Sequence, residues 1–369
     1  MEERSPKKHG WRIALSILVG VVVILLLVYF AWFRPTMQQP LSEPLDLPTL
    51  EVPGAKTSNE SNDDPSQVNQ KETGAIPSNL EEAPVFIPPT LQPEAKPVCG
   101  EDGELLLLLV GIDYVGDGYL YGLADVIRVA RVDFVNMTVN MVALPRDLIV
   151  EVPEGRFSVE DPMKINQAYL FGTPGMGHYN GTGKGASSLA EVIQYNFGVS
   201  VDHYAVVNFS AIVKFIDVIG GVEVDLPGPV TDPTLGDFQA GKQLLNGERA
   251  LALARIRQLY SDAFRVSNQT LILRAALNKL IQPATIVKVP GLIDQFKDAF
   301  LTDLSLEQLS SLGLCFLNNF DSNNLRSFQV PSDLVQSDWA YIPTLSQEAY
   351  VYRWDQRMVE WVHEALLSE

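Results

Sequence analysis

The stretch Glu104-Leu-Leu-Leu-Leu-Leu-Val-Gly-Ile112 decides the fold, because Glu104 is followed by an uninterrupted apolar run that ends immediately before Asp113. Short runs of this kind are typical of central strands that are buried on both faces of a sheet. Segments with the periods of helices and strands alternate after it, which predicts an α/β sandwich with a parallel or mixed sheet. Further strands are predicted at 126–132, 138–144, 147–152, 203–207, 222–226 and 325–330, and helices at 165–171, 187–197, 209–219, 247–255, 263–280 and 355–367, with two more helical stretches within 284–319.

The composition limits the classes of function. The chain of 369 residues has 27 basic and 45 acidic residues, which gives a net charge of −18 at pH 7. A surface with this charge repels nucleic acid, so we expect no nucleic-acid partner. The four histidines are scattered without metal-binding spacing, and two cysteines are too few for a cysteine-rich metal cluster. A histidine-built zinc enzyme is therefore a poor interpretation.

The N-terminal region has the pattern of a membrane anchor. Residues 13–33 carry no charge, and a helix of that length spans the hydrocarbon core of a bilayer. Basic residues concentrate before this stretch, so the positive-inside rule predicts 1–12 as a cytoplasmic tail and everything after the anchor as extracytoplasmic. A cleaved signal peptide is the alternative, but the apolar run is long for one and lacks a small-residue cleavage site.

A stalk is predicted between the anchor and the globular part. Residues 35–99 are rich in proline, serine, asparagine and glutamate and hold almost no aromatic residues. Such a segment cannot bury enough apolar surface to offset its loss of conformational entropy, which predicts a disordered extracytoplasmic linker. Residues 100–369 are predicted as one domain. Cys99 and Cys315 would both lie outside the membrane, where a disulfide persists, but the sequence leaves their pairing open.

Two aspartates stand at predicted strand ends. Asp113 follows the first strand, and Asp125 opens the second. Ligands of α/β sheets bind beyond the strand ends, and a pair of carboxylates there suits a hard, oxygen-preferring cation such as Mg²⁺. Because aspartate is also common in loops, an ordinary loop position is the alternative for both residues.

Several arginines join these aspartates. Arg146 lies two residues after a predicted strand, in Leu144-Pro-Arg-Asp147, and Arg255 and Arg257 share a face of extended backbone if the helix before them ends near Arg255. Arg265 and Gln269 are spaced i, i+4, which places them on one face of a helix. Guanidinium groups bind phosphate oxygens in a bidentate way, so this set indicates an anion beside a metal. Salt bridges to nearby acidic residues are the alternative.

The order of the motifs is more specific than any one of them. They are, along the chain, Leu-Leu-Val-Gly-Ile-Asp113, Asp125, Leu-Pro-Arg-Asp147, Lys164-Ile-Asn-Gln-Ala-Tyr169, Gly220-Gly-Val-Glu-Val-Asp225, Gly241 with Leu245-Asn-Gly-Glu-Arg-Ala-Leu251, Arg255-Ile-Arg257, and Arg265 with Gln269. In this order and spacing they resemble the LytR-CpsA-Psr (LCP) family, also known as the cell envelope-related transcriptional attenuator domain. The resemblance covers residues 104–282, and the predicted anchor and stalk fit it.

The resemblance implies a fold and an activity. The fold is an α/β/α sandwich with an apolar groove for a polyprenyl chain. The activity is that of a phosphotransferase in cell wall biogenesis, which moves a glycopolymer from a polyprenyl diphosphate carrier to a cell-wall acceptor outside the cell membrane. Asp113 and Asp125 match the family's Mg²⁺-associated aspartates, and Asp113 or Asp147 would be the base. The implied catalytic set is Asp113, Asp125, Arg146 and Asp147, and the implied pyrophosphate-binding set is Arg146, Arg255, Arg257, Arg265 and Gln269.

Three positions depart from the family pattern, which often has arginine at each. Leu123 stands two residues before the second aspartate, Val115 two residues after the first, and Asn268 lies in the last motif. Arg128 is close in sequence, but strand parity turns it away from Asp125. At least one phosphate-facing charge is missing, so a non-catalytic or weakly catalytic polyprenyl-phosphate-binding envelope protein is the alternative. Transcriptional attenuation fits poorly with a domain on the far side of the membrane from DNA.

Overall fold

The structure, a computed structural model, describes residues 34–48, 103–114, 121–256, 262–280, 282 and 300–368. The predicted anchor, 13–33, lies outside these ranges, as do Val115, Arg257 and the first of the two helical stretches predicted within 284–319. Within the described ranges, no helix has both the length and the apolar character needed to span a bilayer.

The described elements are labelled in chain order. The strands are β1 Glu104–Ile112, β2 Ala124–Asp133, β3 Thr138–Leu144, β4 Ile149–Val150, β5 Met163–Lys164, β6 His203–Asn208, β7 Val222–Leu226, β8 Val230–Asp232, β9 Gly236–Phe238, β10 Gly241–Leu245, β11 Phe300–Thr302, β12 Leu325–Gln329, β13 Val335–Ile342 and β14 Gln347–Trp354. The helices are α1 Arg34–Gln38, α2 Ile165–Phe171, α3 Lys184–Phe197, α4 Phe209–Val218, α5 Gly247–Arg255, α6 Asp262–Leu280, α7 Leu306–Asn319 and α8 Gln356–Leu367.

A six-stranded mixed sheet forms the centre of the domain, in the order β11-β6-β1-β2-β3-β12. β1 pairs in parallel with β6, and β3 pairs in parallel with β12. β2 and β11 run antiparallel to their neighbours. The C-terminal ends of β1, β3, β6 and β12 therefore meet at one edge of the sheet, together with the N-terminal end of β2.

Helices cover both faces of this sheet, so the predicted α/β/α sandwich with a mixed sheet is confirmed. On one face, Leu108 and Val110 of β1 belong to a buried core that includes residues of α2, α3 and α8. On the other face, the core is built on Val132 and Met141 and is covered by partly buried residues of α6 and α7. The alternation of side chains along β1 thus sends neighbouring residues into two different layers.

α5 belongs to a third core, which also contains residues of α4, α6, β7 and β10. Gly247 allows α5 to begin close to α4, because a Cβ there would lie 2.1 Å from the carbonyl oxygen of Val213. Asp217 accepts the Gly247 N–H at 2.7 Å, and the Asn246 side chain caps the helix. These contacts fix the helix whose last residue is Arg255.

Several predicted elements are confirmed at both ends, and others were missed. The predictions at 104–112, 138–144, 165–171, 222–226 and 247–255 agree with the structure. The hairpin of β13 and β14 was missed, as were the short strands β8, β9, β10 and β11. In the hairpin, aromatic residues occupy exposed positions where polar residues would mark the outer face of a strand, so the alternation is hidden.

The predicted disordered linker is wrong for its first part, because residues 34–48 pack against the domain. The Tyr204 hydroxyl donates to the Glu43 carbonyl oxygen at 2.8 Å, and the Asp46 N–H donates to the Ser187 hydroxyl at 3.0 Å. These partners lie far away in the sequence, so the composition of the segment could not reveal them. The rest of the predicted linker, 49–99, lies outside the described residues.

One of the two cysteines is described. Cys315 lies on α7, where it is buried and disulfide-bonded. Cys99, the only other cysteine in the sequence, lies outside the described residues.

Candidate active site

The two predicted metal-binding aspartates lie on adjacent strands at one sheet edge. Asp113 follows the last residue of β1, and Asp125 is the second residue of β2. Both hydrogen bonds of Leu123 join these segments: its N–H donates to Asp113 Oδ1 at 2.9 Å, and its carbonyl oxygen accepts the Asp113 N–H at 3.3 Å. A Cβ at position 122 would lie 2.7 Å from Asp113 Oδ1. Gly122 thus lets the chain pass beside the carboxylate.

A chain of alternating charges continues from Asp125. Arg146, which follows β3, is ion-paired with Asp125 and lies 3.4 Å from Asp147 through its Nε atom. Lys164, at the end of β5, is ion-paired with the other oxygen of Asp147. Burial acts to lower the pKa of Arg146, but the charges of Asp125 and Asp147 outweigh it and raise that pKa. Arg146 therefore stays charged between two carboxylates.

A cavity of about 260 Å³ opens at this edge, between the ends of β2, β3 and β12 and the first turns of α6. Asp125, Arg265 and Gln269, three of the predicted site residues, line it. Much of the remaining wall is apolar, and Ser337 and Tyr352 of the β13–β14 hairpin close one side. The structure thus brings residues from opposite faces of the sheet to one opening.

Arg128 also lines this cavity, and sequence reasoning missed its importance. It points away from Asp125, as strand parity predicted, but the face that it points to carries α6. Its guanidinium group donates to the Thr270 and Ser327 hydroxyls at 3.1 Å and to Gln269 Oε1 at 3.3 Å. Burial, and secondly the charge of Arg265, lower the pKa of Arg128 to about 10. An arginine flanked by Ile127 and Val129 in the middle of a strand was the available signal.

α6 presents a stripe that changes from polar to apolar along its length. Arg265, Gln269, Leu273 and Leu277 follow one another at i, i+4 spacing, which places them on one face of the helix. The first two line the cavity, whereas the two leucines pack against the core of the sheet. Leu105, Leu107 and Leu109 of β1 lie on the same face of the sheet and are only partly buried. We name these seven residues the amphipathic track.

Arg255 lies beside the same sheet edge. It is the last residue of α5 and is exposed, and its guanidinium carbon lies 5.4 Å from the centre of the Phe209 ring. Ile112 and Asn208 are partners in the β1–β6 pairing, so Asp113 and Phe209 each follow one of two paired residues. The predicted end of the helix at Arg255 is confirmed, but Arg257 lies outside the described residues.

Asn268, one of the departures from the family pattern, has a structural position. It is buried, and its side-chain amide donates to the Leu253 carbonyl oxygen at 3.4 Å. Gln269 makes the neighbouring contact, donating to the Ala254 carbonyl oxygen at 3.3 Å. These two bonds attach α6 to the C-terminal end of α5, and they hold Gln269 beside the helix that carries Arg255.

The donor set fits a shared cation better than a metal held by protein alone. Among the described residues, no group of three or more histidine, cysteine or acidic side chains could hold a metal ion. Mg²⁺ usually takes one or two carboxylates, keeps several waters and completes its shell with substrate phosphates. Asp113 and Asp125 at neighbouring strand ends, with Arg146 paired to Asp125, are carboxylates of the kind that this pattern needs.

The family assignment follows from the sequence as a whole. The LytR_cpsA_psr family matches residues 54–366. The chain belongs to this family. The matched region begins before the predicted domain start at residue 100 and continues beyond residue 282, so the family domain includes the β13–β14 hairpin and α8.

Known relatives share the fold, and some are named as transferases. The chain is 27% identical over 219 residues to the polyisoprenyl-teichoic acid–peptidoglycan teichoic acid transferase TagU of Enterococcus faecalis, covering 58% of this chain and 66% of that protein. It is 26% identical to the regulatory protein MsrR of Staphylococcus aureus over 58% of this chain and 61% of that protein. These matches span just under two thirds of each relative. The crystal structure of B. subtilis TagV superposes with a TM-score of 0.55 at 23% identity, covering 72% of this chain and 96% of TagV.

Proposed function

We propose that this protein is a membrane-anchored, extracytoplasmic phosphotransferase that moves a glycopolymer from a polyprenyl diphosphate carrier to the cell wall. The observation that carries the proposal is the amphipathic track, which begins at a cationic cavity and continues along partly buried leucines. A polyprenyl diphosphate has the same polarity, with an anionic head and an apolar tail. The teichoic acid transferase named among the relatives supports this class of reaction.

The apolar end of the track suits the carrier's lipid tail. A central strand of an α/β sheet is normally buried on both faces, yet Leu105, Leu107 and Leu109 remain partly exposed beneath α6 and α7. Burial of apolar surface yields about 25 cal/mol per Å², so isoprene units laid against these leucines would supply much of the affinity.

The cationic end suits the diphosphate. Arg265, Arg128 and Gln269 face the cavity, and Arg255 stands at the neighbouring strand ends. Guanidinium groups orient phosphate oxygens and neutralise the charge that develops on them during phosphoryl transfer. A Mg²⁺ ion held by Asp113 and Asp125 together with the substrate would supply further neutralisation. Arg257 belongs to this set by its match to the family motif.

In the proposed reaction, a hydroxyl of the acceptor attacks the phosphorus that carries the glycopolymer. The bond from that phosphorus to the bridging oxygen breaks, and polyprenyl phosphate leaves with the electron pair. Asp113 is the better candidate for the base that takes the hydroxyl proton. Both oxygens of Asp147 are engaged by Arg146 and Lys164, whereas among the described residues Asp113 accepts one backbone N–H, at Oδ1.

The topology of the proposal rests on the sequence. The uncharged stretch 13–33 is followed directly by the packed residues 34–48, so an anchor there would hold the domain near the membrane surface. Basic residues precede the stretch, which favours a cytoplasmic N-terminus. External protease on intact cells should then remove the domain and leave a short membrane fragment, and a soluble mature chain beginning near residue 35 would contradict the anchor.

Leu123 favours a second candidate, a protein that binds the carrier without transferring it. Its side chain replaces a cation that the family pattern often provides beside the metal-binding aspartates. Because the rate of phosphoryl transfer depends on neutralising charge, a missing cation would reduce transfer more than binding.

The test is a transfer assay on the full-length protein in detergent, with a polyprenyl diphosphate-linked glycan, a cell-wall acceptor, and Mg²⁺ present or chelated. We expect Mg²⁺-dependent transfer in the wild type and a loss of about tenfold or more in Arg255→Ala, because a hydrogen bond to a charged group contributes about 1.5–3 kcal/mol. Arg357→Ala, which removes an exposed arginine of α8, is the matched control and should leave transfer unchanged. Carrier binding without transfer would favour the second candidate. Absence of both carrier binding and transfer would contradict both candidate functions.

A further inference from the structure

The β13–β14 hairpin carries an exposed row of aromatic side chains. In the strand pairing, Trp339 lies opposite Tyr350, and Tyr341 lies opposite Glu348. Trp339 is 66% exposed, Tyr341 54% and Tyr350 38%. The Trp339 and Tyr350 ring centres are 6.3 Å apart, and those of Tyr350 and Tyr352 are 5.3 Å apart, each pair edge to face. We name Trp339, Tyr341, Tyr350 and Tyr352 the aromatic face.

The hairpin does not need the exposed rings to stay in place. Its opposite face carries Ala340, Ile342, Ala349 and Val351, which form a buried cluster. Trp354 Nε1 donates to a β4 carbonyl oxygen at 2.7 Å and fixes the base of the hairpin. The aromatic face is therefore a rigid, contiguous apolar patch, and such patches on soluble surfaces mark binding sites.

The aromatic face is continuous with the candidate active site. Tyr352 and Ser337 line the cavity that also contains Asp125 and Arg265. The Tyr352 N–H donates to the Asp147 carbonyl oxygen at 2.9 Å, which ties β14 to the charged chain at the sheet edge. From Ser337 to Tyr341 a strand extends about 13 Å. The row of rings therefore leads outward from the cavity over a distance longer than one sugar ring.

We propose that the aromatic face binds the acceptor, a neutral glycan strand, and leads it to the cavity. The inference rests on the proposed function and adds the site of its second substrate. The C–H bonds on one face of a pyranose ring carry partial positive charge, and the faces of aromatic rings are negative. Polar groups lie among the rings: the Ser337 and Tyr350 hydroxyls are 2.8 Å apart. A protein site that binds a sugar needs both aromatic ring faces and hydrogen-bonding partners for the sugar's hydroxyl groups.

The charges near the aromatic face favour a neutral strand over a phosphate-rich polymer or a lipid surface. Between residues 335 and 354 the charged side chains are Asp338, Glu348 and Arg353. Arg353 is paired with Asp338 at 2.6 Å, which leaves Glu348 beside Tyr341. A polyanion or an anionic membrane would call for lysines and arginines here. The donor glycopolymer and the bilayer are therefore poorer occupants than an uncharged glycan.

The test uses the full-length protein in nanodiscs and chitotetraose, a soluble tetramer of β-1,4-linked N-acetylglucosamine, in a ligand-observed NMR titration. We expect Trp339→Ala to weaken binding by about tenfold, the scale of a central aromatic contact. Tyr350→Ala should weaken it less, and Trp339→Phe should retain most of the binding, because a ring remains. Tyr195→Ala is the matched control, since it removes an exposed tyrosine of α3.

Three results would overturn the inference. They are absence of wild-type binding up to about 10 mM, unchanged binding in Trp339→Ala, and a component of tryptophan quenching by brominated nanodisc lipids that is present in the wild type but lost in Trp339→Phe, which would make the face a membrane contact. Binding of geranylgeranyl diphosphate is measured on the same samples and should not change in the aromatic variants. Failure of the wild type to bind that diphosphate would contradict the proposed function instead, so the two failures are distinguishable.

Discussion

The two faces of β1 differ although they alternate along one strand. Leu108, Val110 and Ile112 are almost completely buried beneath α2, α3 and α8. Leu107 and Leu109 point to the other face, where they remain partly exposed beneath α6 and α7. Side chains of nearly the same chemistry therefore meet two environments. The first face holds the fold together, and the second leaves apolar surface exposed, as the proposed carrier site requires.

The polar residues follow the same division. The face beneath α6 contains Arg128 and Arg265, two buried cations close enough for the charge of one to lower the pKa of the other. Bringing like charges together in a low-dielectric region costs free energy unless an anion joins them. A fold selected for stability alone has no use for this pair, whereas a diphosphate site does.

The largest effect on stability should come from the fully buried face. Leu108→Ala should lower the free energy of unfolding by about 2–5 kcal/mol, because it removes buried contacts and leaves a cavity. Leu107→Ala, its neighbour on the other face, should cost less than about 2 kcal/mol while weakening the binding of geranylgeranyl diphosphate. Urea unfolding of both variants measures the difference, and equal losses of stability would remove the distinction between the faces.

Replacing Arg128 should separate function from stability. Burial lowers the pKa of Arg128 to about 10 in the folded state, so keeping this group charged costs folding free energy at neutral pH. The cost declines only as the pH rises above about 10, and Arg128→Met removes it. Met also removes the donors to Thr270, Ser327 and Gln269, so we expect the relieved cost of burying the charge and the lost hydrogen bonds to offset each other to within about 2 kcal/mol of unfolding free energy, while affinity for pyrophosphate falls about tenfold. Thermal unfolding and calorimetry measure the two quantities, and a destabilised variant with normal affinity would make Arg128 a structural residue.

The smallest expected effect concerns position 123. Leu123→Arg restores a cation that the family pattern often has beside the two aspartates proposed to bind Mg²⁺, and transfer should rise by up to about tenfold for each 1.4 kcal/mol of regained stabilisation. If the protein only binds its carrier, affinity rises while transfer stays undetectable. Reduced activity would mean that another residue already fills the space, and no change in either quantity would mean that position 123 does not face the site.

The sequence predicted the core of the fold better than the shape of the site. β1 and α5 were predicted with their correct ends, because an uninterrupted apolar run and a capped amphipathic helix are local signals. Residues 35–48 were mistaken for disordered chain, since the partners of Asp46 lie more than a hundred residues away. Arg128 was set aside because parity turned it from Asp125. Strand parity predicts the face of the sheet on which a side chain lies, but it does not predict that a cavity lies on that face.

The central claim is that one carrier molecule lies along the amphipathic track, with its head at Arg265 and its tail at Leu277. The most direct measurement is the affinity of the full-length protein for geranylgeranyl diphosphate and for inorganic pyrophosphate in two variants. Arg265→Ala should weaken both ligands, whereas Leu277→Gln should weaken only the prenylated one. Leu271→Gln, on another face of α6, controls for loss of packing. Unchanged prenyl affinity in Leu277→Gln, in a variant that unfolds like the wild type, would contradict the account.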